Sequence, residues 1–139
     1  MSGKKMMSRA ALLLVALVLT LGLSACRQAP LRNLSNLPAA NAYGATLKAE
    51  QVKAAILAGC KDKGWVAREL RPGALTATLA VRRHMAEVEI PYSGSNYSII
   101  YKSSSNLDYN PAKDSIHNQY NNWVEYLRQA INARLAETK

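Results

Sequence analysis

The sequence predicts an α+β fold, a two-layer sandwich in which an N-terminal and a C-terminal helix flank an antiparallel meander of about four strands, in the order α-β-β-β-β-α. Three observations carry that expectation. Apolar residues repeat at three and four positions from Val52 to Cys60 and again from Ile116 to Leu135. Between those stretches the period falls to two, and glycines and a proline punctuate the short segments. The alternation leaves one side of the strands polar, so both helices are expected on one sheet face while the other stays wet.

The first helix is expected from about Thr46, a residue able to cap it, through "LKAEQVKAAILAGCKDK". Val52, Ala55, Ile56, Gly59 and Cys60 form its apolar stripe, most of the lysines lie elsewhere, and Gly64 is a natural stop. "WVAREL" reads as a short strand, followed by a turn at Arg71-Pro72-Gly73. "ALTATLAV" puts Leu75, Ala77, Leu79 and Val81 on one side and Thr76, Thr78 and Ala80 on the other. "MAEVEIPY" groups Ala86, Val88, Ile90 and Tyr92 against Glu87 and Glu89, and "NYSIIYKS" groups Tyr97, Ile99 and Tyr101. Asn110 and Pro111 resemble a cap and a first-turn residue. The stripe Ile116, Tyr120, Trp123, Leu127, Ile131 and Leu135 then predicts a long second helix, with Trp123 expected in the core.

The front of the chain has a different character. "MSGKKMMSR" holds Lys4, Lys5 and Arg9 and no acid, and Ala10 to Leu23 runs without a charge. Fourteen residues make about 21 Å of helix, short of the about 30 Å of a bilayer core. A basic start, a short apolar middle and small residues at the end are the pattern of a secretory signal. The end, Leu23-Ser24-Ala25-Cys26, resembles the lipobox of bacterial prolipoproteins. That resemblance covers residues 1–26. It implies that Cys26 is diacylglycerylated on sulfur, becomes the new N-terminus after cleavage and is acylated there. Two or three acyl chains anchor stably where one does not. In that family an Asp beside the cysteine favours retention in the inner membrane. Here Arg27 and Gln28 follow, which implies the outer membrane of a Gram-negative envelope, facing the periplasm.

The expected organisation is therefore a signal peptide over 1–25, a lipidated cysteine with a flexible tether over 26–45, and a periplasmic domain over 46–139. Residues 27–45, "RQAPLRNLSNLPAANAYGA", contain two prolines and no clear apolar period, and as a flexible chain would reach about 25 Å. Three of the 18 basic residues and none of the nine acidic ones precede Cys26, so the remaining 114 residues carry a formal charge of +6. Export argues against nucleic acid as the partner of this basic chain. Anionic lipid headgroups, lipopolysaccharide, peptidoglycan or an acidic protein surface suit it better. With Cys26 lipidated, Cys60 has no partner for an internal disulfide and is expected as a small buried hydrophobe.

No motif carries chemistry. His84 and His117 have no Cys or carboxylate at ligand spacing, so no metal site is expected. Ser103, Ser104 and Ser105 lack a G-x-S-x-G context, and Glu87 and Glu89 share the wet side of one strand. The densest basic patch is Arg82-Arg83-His84 at a strand end. Tyrosines are frequent, with Tyr109, His117 and Asn118 near a polar run in the C-terminal half. These six residues are the candidate contacts to a partner or an anion. The expected function is a non-enzymatic binding or scaffolding module, anchored to the membrane, working on an envelope protein, with no cofactor other than the lipid on Cys26. A binding domain for an anionic envelope lipid or glycan is the alternative, and a small envelope hydrolase a further one.

Overall fold

The computed structural model describes residues 27–139; the apolar front segment and Cys26 lie outside the described residues. The elements are β1 (Gln28–Pro30), β2 (Leu34–Pro38), α1 (Ala49–Asp62), β3 (Val66–Arg71), β4 (Ala74–Val81), β5 (His84–Pro91), β6 (Asn96–Ser105), β7 (Ser115–His117) and α2 (Asn118–Ala136). Five strands form one antiparallel sheet in the order β2-β6-β5-β4-β3, and β1 pairs with β7 in a separate two-stranded ribbon. The architecture is α+β.

The period-two segments form strands for the reason their spacing gave. Leu75, Ala77 and Leu79 of β4, Ala86, Val88 and Ile90 of β5, and Tyr97 and Ile99 of β6 are all buried in one cluster. The helices supply the other half of that cluster with Val52, Ala55, Ile56 and Cys60 from α1 and Tyr120, Val124, Leu127, Ile131 and Leu135 from α2. Helix meets helix at Gly59, where an added Cβ would lie 2.8 Å from the Ile131 backbone. Only a residue without a side chain permits that approach. Gly64, at φ +77°, follows the end of α1.

Three expectations change. The segment expected as a flexible tether is seated on the domain from Gln28 onward. Gln28 to Pro30 pair with Ser115 to His117, and Leu34 and Leu37 pair with Ile99 and Tyr97, adding a fifth strand to the sheet. Leu31, Leu34 and Leu37 pack on the core. Their burial, about 1.5–3 kcal/mol for each side chain fully covered, offsets the ordering that a tether would avoid. The segment's period of three follows from a bulge between Leu34 and Leu37, where Asn36 turns through φ +53° and its N–H donates to Ser98 Oγ. The second helix starts later than Asn110-Pro111 suggests. Asn110 Oδ1 does accept from the N–H groups of Ala112 and Lys113, but it caps only a turn, and Ile116 is buried on β7 rather than on a helix. Trp123 is only half-buried against the core, whereas Trp65, at the entry to β3, is fully inside it.

Among the described residues no helix is long and apolar enough to cross a membrane.

Candidate functional site

The residues singled out by sequence come together at one end of the molecule. Val81 and His84 pair across a two-residue turn, so Arg82 and Arg83 form the tip of the β4–β5 hairpin. Arg82 is at φ +56°, a backbone region that ordinarily favours Gly. Both arginines are exposed, and neither forms an ion pair among the described residues.

Asn106, just past β6, joins this tip to the next loop. Its Nδ2 donates to Arg83 O at 2.6 Å, and its own carbonyl lies 2.7 Å from His84 Nδ1. A carbonyl only accepts, so Nδ1 of His84 carries the proton. One residue on, Leu107 O accepts the N–H of His117 at 2.8 Å. His117 is the N-cap of α2, its Nδ1 accepting from Gln119 N at 3.2 Å, so here Nδ1 is bare. His84 therefore donates through Nδ1 and His117 accepts through Nδ1, each in a structural bond. Asn118 is the exposed first residue of α2.

The tyrosines gather beside this joint. Tyr109 lies on Tyr101 with ring centroids 4.5 Å apart, and Tyr101 meets Tyr120 edge-on at 5.5 Å. Tyr109 is 39% exposed, while Tyr120 is fully buried and its hydroxyl has no hydrogen-bond partner among the described residues. Burial holds the Tyr120 and Tyr97 phenols above their usual range; Tyr97 Oη nevertheless donates to Asn132 Oδ1 at 2.6 Å. Tyr101 and Ser104 both point inward because a bulge at Lys102 shifts the β5–β6 register, and their hydroxyls lie 2.9 Å apart.

The uncovered sheet face is a second surface. Glu89 is paired there with Arg71 at 2.6 Å and Glu87 with Lys102 at 3.1 Å, so both carboxylates have structural partners. A shallow concavity of about 590 Å³ lies between Val66, Arg68, Thr76, Thr78, Ala80 and Glu87. It ends at β3, an edge strand with a free backbone side, where Val66 is 60% exposed. The opposite edge, β2, is five residues long, bulged and closed by Pro38.

Sequence reasoning found the hairpin tip, Tyr109, His117 and Asn118, but not the residue that joins them, Asn106. Its only sequence signal is an Asn beside a serine run, a common loop composition. Cys60 is buried, and burial pushes its thiol up to about 12, which suits a packed hydrophobe. Among the described residues no group of three or more His, Cys, Asp or Glu is placed to hold a metal ion. No protein family matches the chain, and neither a curated protein nor a solved structure resembles it.

Proposed function

We propose that this chain is a lipid-anchored periplasmic binding module that presents its open sheet face and the free edge of β3 to an envelope protein. The observation that supports it is the asymmetry of the sheet. Both edge strands are short and carry a register shift, but only β3 borders the shallow concavity, where it leaves its outer backbone side unpaired beside an exposed Val66. Such an edge accepts a partner strand through main-chain hydrogen bonds, with pockets for alternate side chains. Anchoring through Cys26, implied by Leu23-Ser24-Ala25-Cys26, would raise the local concentration of a modest binder without new contacts.

A photo-crosslinking residue at Val66, in the lipidated protein in intact envelopes, tests the reading. A single dominant adduct, abolished by a charge reversal at Arg68 while melting is unchanged, is the expected result. Equal adducts from Val66 and from a control position on the helical layer, such as Gln129, would remove the edge as the binding surface. Cys26→Ser should abolish lipid labelling and leave a soluble or uncleaved precursor. A second reading, binding of an anionic envelope lipid or glycan, rests on the unpaired Arg82 and Arg83.

A further inference from the structure

We infer that the Arg82–Arg83 end of the domain rests on the anionic phospholipid headgroups of the leaflet that holds Cys26, so that the molecule is oriented on the membrane. The inference rests on the lipid anchor proposed above. Its independent part is where the chain leaves the fold.

Gln28 is already paired with His117, and only Arg27 separates it from Cys26. Two residues of extended chain span at most about 7 Å. A lipid on Cys26 would therefore hold the first turn of α2 at the headgroups, with no flexible length in between. The same end carries the hairpin tip. From Gln28 the path runs to His117, by hydrogen bond to Leu107, along the chain to Asn106, and by hydrogen bond to Arg83. Those four steps of roughly 5 Å bring the tip within about 20 Å of the exit point.

Charge agrees with the geometry. Arg27, Arg32, Arg82, Arg83 and Lys113 lie on this end, all exposed and none in an ion pair among the described residues. The acids that face them are Asp108 and Asp114 in the connecting loop, and Glu125, which is already held by Arg128. The opposite end is uncharged at its turns, Pro72-Gly73 and Ser93-Gly94-Ser95, the flanking Arg71 is paired with Glu89, and exposed Lys48 beside Gly94 stands against the five basic residues of the Arg82 end. Each basic side chain near an anionic leaflet strengthens association about fivefold at moderate salt. The turn itself points the same way, since Arg82 occupies a position whose backbone suits Gly. Half-exposed Tyr109 beside the tip is the residue type that settles at headgroup depth. Seated so, the domain keeps its open sheet face clear of the bilayer.

The test uses the lipidated protein in vesicles of phosphatidylcholine, alone or mixed with phosphatidylglycerol. Energy transfer to a headgroup-labelled lipid is read from a fluorophore at Asn118→Cys or at Ser95→Cys. The expected result is high transfer from position 118 and low transfer from position 95, with the contrast larger in the anionic vesicles. Reversing both charges, R82E with R83E, should cut that contrast by about half or more, as should high salt. Arg82→Gly controls for folding, because the turn accepts Gly: it should reduce the contrast with melting unchanged or raised. Equal transfer from both positions, or a contrast indifferent to both arginine variants, overturns the inference. Intact-mass analysis of the same protein reads the anchor separately. An acylated Cys26 with no contrast removes the orientation alone, and an unacylated Cys26 removes the anchor and the orientation together.

Discussion

Two tight turns cap opposite ends of β4, and they meet the same backbone demand with different residues. At one end Arg71 and Ala74 pair around Pro72-Gly73, with Gly73 at φ +81°. Pro before a Gly of positive φ is the usual occupancy of a type II turn. At the other end Arg82 sits at φ +56° in a turn that would take Gly more readily. A left-handed side-chain-bearing residue costs about 1–2 kcal/mol. The first end is built for fit: beside it an added Cβ on Gly94 would come within 2.3 Å of Leu47 O. The second end holds exposed arginines, tyrosine rings in tilted contact and, among the described residues, four of the five non-glycine residues of positive φ, Arg82, Asn106, Asp108 and Asp114. Asn and Asp take that backbone readily, so the strain rests on Arg82, and strain at such a residue is found where a surface is kept for something other than stability.

Substitutions at the two ends should therefore move stability in opposite directions. Gly94→Ala should destabilise most, by about 3 kcal/mol, because its clash is with backbone and cannot be relieved by a rotamer. Urea denaturation reads it, and a loss under about 1 kcal/mol would mean that the segment leading into α1 at Leu47 can move. Gly73→Ala would meet only an ordinary contact, 3.7 Å from Tyr92 O, but has the wrong φ, and should cost about 1–2 kcal/mol. Acid should weaken the helical layer. Arg128 and Gln129 hold the Glu125 carboxyl down to about 2, and Arg134 holds Asp62 below its usual range. A depressed carboxylate contributes stability above its unfolded value, near 4.3, that is lost as pH falls toward its folded value. For the half-exposed Glu125 this amounts to about 1 kcal/mol or less after solvent screening, between about pH 5 and pH 2. Glu125→Gln should flatten that limb. Arg82→Gly should leave it unchanged, since Arg82 has no carboxylate partner. The smallest effect is that of Arg82→Gly itself, a gain of about 0.5 kcal/mol or none. A clear loss would show that the arginine side chain, not its backbone, holds the tip.

Most of the two-layer fold was legible because its signals are local. β4 coincides with the alternating run Ala74–Val81, and α1 carries the expected stripe from Val52 to Cys60. The candidate surface was legible as residue types but not as a place. Arg82 and His117 are 35 positions apart, and they meet through Asn106, whose bonds depend on a left-handed backbone at φ +57°. Trp123 has helix-stripe spacing and is still only half-buried, because a stripe is wider than the seam it covers.

The front segment marks the division most sharply. Local chemistry is enough to propose a lipid on Cys26, because recognition of such a signal depends on a few consecutive residues and an apolar run. The α+β class follows in the same way from periodicities of two and of three to four, since burial of one face is a property of each element. What only the tertiary structure decided is that Gln28 to Pro38 belongs to the domain. Three leucines at a spacing of three do not match the strand period of two, and their pairing became visible only once β6 and β7 offered edges and a bulge at Asn36 restored the phase. Long-range strand pairing is set by partners far along the chain, and no local pattern records it.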